Sequence, residues 1–229
     1  MDATLKHKLF TYLAGAAIAF SSGSVANAKT GLVEIPEPVI MELLSDVEGD
    51  DWREDDLFHL MELLAEDPRQ QVRCRAAEFL KDFDGEGFWD RIEPIMLNLA
   101  GDSEPAVRAS VTGTVTQWLS NLDELVRARL VLEWSVSSDA RIRLIVARAL
   151  ASGIPSFGAD LALEYLAEDA DAEIRKTAIE AIKRRFQENP DFYRGVLKRR
   201  LTDKDRLVRR EAQRAIVHTH KLETDNRSA

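Results

Sequence analysis

Imidazole and thiol side chains, which most often serve as acid–base groups, nucleophiles and metal ligands, are few and scattered. The histidines are His7, His59, His218 and His220, and Cys74 is the single cysteine. No His-Glu dipeptide occurs. His218 and His220, two positions apart, point to different faces of a helix, so they could share a metal only where the helix has ended, and a frayed terminal turn accounts for them. One thiol closes no disulfide within the chain and brings no second sulfur to a soft-metal site. Cys74 is flanked by Arg73 and Arg75, the setting of an activated thiolate, but a partly buried inert thiol is the better reading. The run Asp82-Phe83-Asp84-Gly85-Glu86, with Asp90 beyond, has the composition of a calcium loop without its twelve-residue spacing and closing Glu, and reads as a solvated turn. Trp52, Trp89, Trp118 and Trp134 fall one per region; the last three fit packing on helical faces better than a stacking platform. With no Gly-rich phosphate loop, nucleophile elbow or zinc spacing, the expectation is no catalytic centre, no metal site and no cofactor.

The elements carrying these residues are set by a repeat. Beyond Ile35 apolar residues recur at three- and four-residue spacing, without the sustained alternation of strands. One phrase returns five times: Val72-Arg73, Val107-Arg108, Ile142-Arg143, Ile174-Arg175 and Val208-Arg209, with the arginines 35, 35, 32 and 34 positions apart. Five positions before each branched residue stand Asp67, Asp102, Ser137, Asp169 and Asp203. Four positions after it come Ala76, Val111, Val146, Ala178 and Ala212, and eight after it Leu80, Val115, Leu150, Ile182 and Ile216. Those offsets keep to one helical face.

On this phrase, from about residue 53 to 220, the chain resembles the HEAT-repeat family. The resemblance implies an all-α, right-handed α-solenoid of about five helical hairpins. First helices are expected near 53–66, 88–100, 122–135, 159–167 and 190–201, and second helices near 68–83, 104–119, 140–152, 172–187 and 204–220. One hairpin cannot bury its apolar face alone, whereas stacked neighbours make a continuous core. A helix over 37–47, carrying Val39, Ile40, Leu43 and Leu44, would cap the stack within an acidic segment 29–52, and 221–229 would be a flexible tail. Asp67-Pro68 and Asn189-Pro190 offer a capping side chain followed by proline at the first helical position, and Gln70 would complete a capping box. Ser152-Gly153-Ile154-Pro155 marks a break, and Pro94 should kink its helix or delay its start to about Glu93.

The repeated Asp67, Arg73, Asp102, Arg108, Arg143, Asp169, Arg175, Asp203 and Arg209 are expected to form a structural ladder. The acid accepts backbone N–H bonds at the turn, and the arginine reaches the acid or carbonyls of its own or an adjacent unit. HEAT-like deoxyhypusine hydroxylase holds iron with paired His-Glu motifs, and this chain has none of them.

Residues 1–28 have the order of a secretory signal peptide: Lys6, His7 and Lys8, then an apolar stretch from Leu9 to Phe20, then Ala26 and Ala28 at a cleavage site. The apolar stretch would span only about 18 Å as a helix against about 30 Å of hydrocarbon, so no stable membrane span is expected after its removal. Export to the periplasm or beyond is expected; the alternative is a cytoplasmic protein with an N-terminal extension, which Asp2 mildly favours.

The formal net charge of -9 disfavours nucleic acid and anionic lipid as general partners. That average conceals an asymmetry. Residues 31–70 hold 13 Asp or Glu against 2 Arg, a net of -11, and residues 171–229 hold 16 Lys or Arg against 10 acids, a net of +6. Lys183-Arg184-Arg185 and Lys198-Arg199-Arg200 close two helices, where cations suit the helix end; they are equally a patch for an acidic protein segment. The leading expectation is a non-catalytic scaffold whose second helices receive a protein or peptide. A DNA-repair module like the HEAT-like alkylpurine glycosylases would need a basic groove, where this chain offers Thr112, Gly113, Thr114 and Thr116. A phycobilin-lyase-like chromophore chaperone rests on general repeat resemblance alone.

Overall fold

The computed structural model describes residues 54–82 and 89–227, together with residue 38. The chain divides into two compact units, Met1–Thr114 and Val115–Ala229. Over the described residues it forms ten α-helices and two short 3-10 segments: α1 Glu54–Ala65, α2 Gln70–Phe79 continued by Leu80–Asp82, α3 Trp89–Ala100, α4 Pro105–Asn121, α5 Glu124–Ser135, α6 Ala140–Ala151, α7 Ala159–Ala167, α8 Ala172–Arg185 continued by Phe186–Glu188, α9 Pro190–Arg200 and α10 Arg206–Arg227. The unit boundary falls within α4.

In the second unit the helices form two layers. The first helices of successive hairpins, α5, α7 and α9, pack on one another, and so do the second helices α6, α8 and α10. Helix α8 shows why. Ile174, Ala178, Ala181 and Ile182 recur at intervals of four, three and one, lie on one stripe, and are at most 1% exposed. Burying each isoleucine contributes about 1.5 to 3 kcal/mol. Asp171 starts the helix by accepting the Glu173 N–H at 2.7 Å, and Lys183, Arg184 and Arg185 occupy its last turn, opposite in sign to the helix end. In the first unit α1 packs on both α2 and α3.

Several local expectations are revised. Helix α2 begins at Gln70, with Arg69 at its N-cap and no side-chain cap, so Asp67-Pro68 precedes the helix and no capping box forms. Asp67 instead accepts the Arg69 N–H at 2.8 Å, forming the turn before the helix. Pro190 occupies the first helical turn as expected, but Asn189 does not cap it, because its amide donates to Asp160 at 2.8 Å. Helix α3 contains Pro94 and begins at Trp89, ahead of the later start proposed for it. Gly153 ends α6 with φ of 96°, where the absence of a Cβ permits the left-handed turn. The last helix continues to Arg227, so His218 and His220 stand inside a continuous helix rather than in a frayed turn or at the start of a tail. Residues 1–37 and 39–53, including the signal and capping-helix expectations and Trp52, lie outside the described residues, as do residues 83–88, on which most of the expected solvated turn falls, and 228–229.

Candidate functional site

The five repeated arginines make the same two contacts with their own turns. In each copy Nη1 donates to the carbonyl of the acid position of its own turn: Asp67 at 2.7 Å from Arg73, Asp102 at 2.6 Å from Arg108, Ser137 at 2.7 Å from Arg143, Asp169 at 2.7 Å from Arg175 and Asp203 at 2.6 Å from Arg209. The following carbonyl accepts a second bond, between 2.8 and 3.2 Å. This fixes the other edge of the fork. In the first unit Arg73 presents Nε and Nη2 to the two carboxylate oxygens of Asp102 at 2.6 and 3.0 Å. In the second unit Arg143 does the same to Asp169 at 2.5 and 3.1 Å, and Arg175 to Asp203 at 2.9 and 2.8 Å. Paired N–H donors matched to a carboxylate are a strong, direction-specific interaction, and each ties one hairpin to the next.

The same acids also organise the turns. Asp102, Asp169 and Asp203 accept the N–H two residues on, from Glu104, Asp171 and Asp205, at 2.8 to 2.9 Å. Ser137 replaces the acid in the third copy and its hydroxyl accepts from the Asp139 N–H at 3.2 Å, keeping the turn but offering no carboxylate. A second row of acids was not singled out in the sequence reading: Asp139, Asp171 and Asp205 cap α6, α8 and α10 through the N–H groups of Arg141, Glu173 and Leu207. The signal was an acid two positions after the repeated one.

The electrostatics follow. The Arg73 hydrogen bonds hold the Asp102 carboxyl below the usual range. Burial works against charge on Asp203, and the bonds from Arg175 and the Asp205 N–H outweigh it, so its pKa is also lowered. Asp139 is lowered chiefly by hydrogen bonds from Arg141. A separate buried tie, also missed, joins α7 to α9: the Tyr193 hydroxyl and the Asn189 amide both donate to Asp160. Burial, then the Asp160 carboxylate, pushes the Tyr193 hydroxyl well up, keeping it a neutral donor.

The six residues of the expected basic patch do not form one free surface. Lys183 pairs with Glu211 at 3.0 Å, joining α8 to α10. Arg185 is buried, donating to the Ile154 carbonyl at 2.8 Å and pairing with Glu188 at 2.6 Å. Arg199 pairs with Glu164 and Glu168 at 2.7 and 3.2 Å, and Arg200 with Asp203 and Glu168 at 3.5 and 3.8 Å. Arg184 and Lys198 are exposed, at the ends of different helices. A cleft of about 360 Å³ beside the last turn is lined by both signs, including Glu168, Asp169, Arg175, Arg199, Arg200 and Asp203.

The other candidates are placed as follows. Cys74 is a free, partly buried thiol, with Arg73 engaged by Asp102 and Arg75 by Glu78 at 3.2 Å. His59 bonds Glu62 within its own helix at 3.2 Å. Trp118 and Trp134, treated as separate packing residues, stack with ring centroids 5.9 Å apart.

The second helices of the second unit present another repeated surface. One and five positions after each ladder arginine stand Leu144 and Arg148 on α6, Lys176 and Glu180 on α8, and Arg210 and Arg214 on α10; the α6 and α8 positions are partly buried and the α10 pair is exposed. Arg148 pairs with Glu173 of α8 at 2.7 Å, and Arg214 with Glu211 at 3.6 Å. Lys176 pairs with Glu180 at 3.6 Å; with Leu144 as the apolar member, these rows over side-by-side helices form a surface that an extended segment crossing the helices could read at successive positions.

No family model matches the chain, and no curated protein matches it. Among solved structures it is similar to Cex1p, with a TM-score of 0.55 and 17% identity over 99% of this chain and 45% of that one. The chain therefore spans less than half the length of Cex1p. It is also similar to a designed armadillo repeat protein in complex with the peptide (KR)4, with a TM-score of 0.45 and 16% identity over 86% and 93% of the two chains. E. coli YibA gives a TM-score of 0.44 and 17% identity over 87% and 78%. The fold is an all-α helical-repeat solenoid.

Proposed function

We propose that this protein is a non-catalytic scaffold, exported from the cytoplasm, that binds a protein or peptide through the second helices of its second unit. The supporting observation is the division of labour within the repeat. The ladder arginines are engaged with their own turns and, at Arg143 and Arg175, with the next hairpin, whereas the positions one and five residues later recur on α6, α8 and α10, partly exposed on the first two and exposed on the third. The similar designed armadillo protein was solved with a peptide, which agrees with this use of a repeat surface without fixing the ligand here. Export rests on the order of charge, apolar stretch and small residues in 1–28.

The test is affinity capture from the native host compartment, comparing wild type with a variant carrying Arg148→Glu, Lys176→Glu, Arg210→Glu and Arg214→Glu. The reading expects one recurrent partner, lost from the variant while helicity is retained; undiminished recovery removes the second-helix surface. Mass spectrometry of the same material should find Lys29 at the N-terminus, and an intact Met1 in the cytosolic fraction would overturn export.

A further inference from the structure

One row of the first-helix layer breaks the pattern of its neighbours. Counted back from the ladder arginines, the positions eighteen, fourteen and ten earlier are Leu125, Arg129 and Glu133 at α5, Phe157, Leu161 and Tyr165 at α7, and Asp191, Gly195 and Arg199 at α9. The rows at α5 and α9 are charged or small apart from Leu125. At α7 the row is apolar throughout: Phe157, in the turn before the helix, is 84% exposed, Leu161 45% and Tyr165 50%. Leu125, 75% exposed, extends the patch, because its neighbour Glu124 accepts the Phe157 N–H at 2.9 Å and holds the two turns together. Single exposed apolar residues need no explanation, whereas a contiguous group marks a contact surface. The core does not compete for these side chains, since Ala162, Leu163 and Leu166 already fill the inner face of α7 and are fully buried.

Shape and charge narrow the occupant. Phe157, Leu161 and Tyr165, four positions apart, form the ridge that packs into the matching groove of another helix in the commonest class of helix pairing. Around it the charges are balanced: Arg129 pairs with Glu133 at 3.9 Å, Arg199 with Glu164 at 2.7 Å and Arg194 with Asp191 at 2.7 Å. An anionic lipid surface would be pressed against Glu133, Glu164 and Asp191, and a strongly charged partner would find no opposite field. A second copy meets neither obstacle, because a neutral rim does not repel itself and an isologous contact uses one face on both sides. The four apolar side chains expose on the order of 400 Å², half of the roughly 800 Å² that each partner buries in a standard interface, and the α5 and α9 rows supply the polar rim. Gly195, level with Leu161, keeps the α9 flank low. A Cβ there would meet only Arg199 Nη1, at 4.0 Å, so internal packing does not require the glycine, and its place leaves room for a side chain projecting from the opposite copy.

We infer that the protein pairs with a second copy of itself through the exposed face of α7, with Phe157, Leu161 and Tyr165 of the two copies interleaved at the centre. The contact lies on the first helices. It is therefore separate from the second-helix row, and each can fail without the other.

The test is sedimentation velocity of the full chain from about 1 to 100 µM, the range in which a contact of micromolar affinity passes from monomer to dimer. The wild type is expected to approach twice the monomer mass as concentration rises. Phe157→Glu with Leu161→Glu, at exposed positions where the fold tolerates charge, is expected to stay monomeric with unchanged helicity, because the contact would bury like charges against each other. Arg148→Glu with Lys176→Glu, on the second helices, should dimerise as the wild type does. A wild type that remains monomeric throughout, or a folded Phe157→Glu, Leu161→Glu variant that dimerises equally, would overturn the pairing. Co-sedimentation of a monomeric wild type with phosphatidylglycerol vesicles, lost in the same variant, would assign the face to a lipid surface and overturn it as well.

Discussion

Arg175 and Asp203 face each other from successive hairpins as a bidentate pair at 2.9 and 2.8 Å, and each side chain is 3% exposed. The Arg73–Asp102 pair in the first unit has the same geometry with side chains 12% and 10% exposed. Removing one partner of a buried pair strands a desolvated charge, so Arg175→Met is expected to cost about 3 to 5 kcal/mol. Arg73→Met, whose stranded acid is better hydrated, should cost about 1 to 2 kcal/mol. Urea unfolding measures both, and the double variant Arg175→Met, Asp203→Asn should lose less than the sum of its singles.

Acid should loosen the ladder. Asp102, Asp139 and Asp203 have folded-state pKa values below their unfolded ones, so their contribution is complete above the unfolded value of about 4 and disappears as pH falls through the folded values. Thermal midpoints should therefore hold above about pH 5 and drop steeply below about pH 4. Asp139→Asn, which lacks the charge, should show a shallower drop than wild type.

The caps can be tested apart from the ladder. Asp171→Ala removes the bond to the Glu173 N–H and should destabilise by about 1 kcal/mol. Asp171→Ser should restore most of it. Equal losses in the two would assign Asp171 some role other than capping.

Two glycines should respond in opposite directions. A Cβ at Gly113, in the interior of α4, meets nothing within 4 Å, so Gly113→Ala should stabilise by about 0.5 to 1 kcal/mol. A Cβ at Gly158 would lie 2.9 Å from Leu132 Cγ and 3.2 Å from the Ala128 carbonyl, so Gly158→Ala should cost about 1 to 3 kcal/mol. Calorimetry of both variants checks the contrast.

The hairpin order was legible in the sequence because helix periodicity and the Val/Ile-Arg phrase are local signals, and Ala159–Ala167 emerges with the bounds the spacing gives. Which carboxylate each arginine grips was not legible. The phrase permits Arg175 to bond its own turn or the next, and the structure shows that it does both, through different nitrogens. The pairing of the basic runs was not legible for a related reason: Lys183 and Arg199 look free in a linear charge count, but Glu211 and Glu164 lie 28 and 35 residues away in sequence and beside them in the fold. Asp67-Pro68 looked like a helix start because cap chemistry suits turns as well as helices, and the Arg69 N–H claims the acid first.

The proposal that the second helices receive the partner is tested most directly by hydrogen–deuterium exchange on the captured complex. Protection is expected over Ala172–Arg185 and the start of Arg206–Arg227, on the second helices. Protection confined to the first helices Glu124–Ser135, Ala159–Ala167 and Pro190–Arg200 would contradict it.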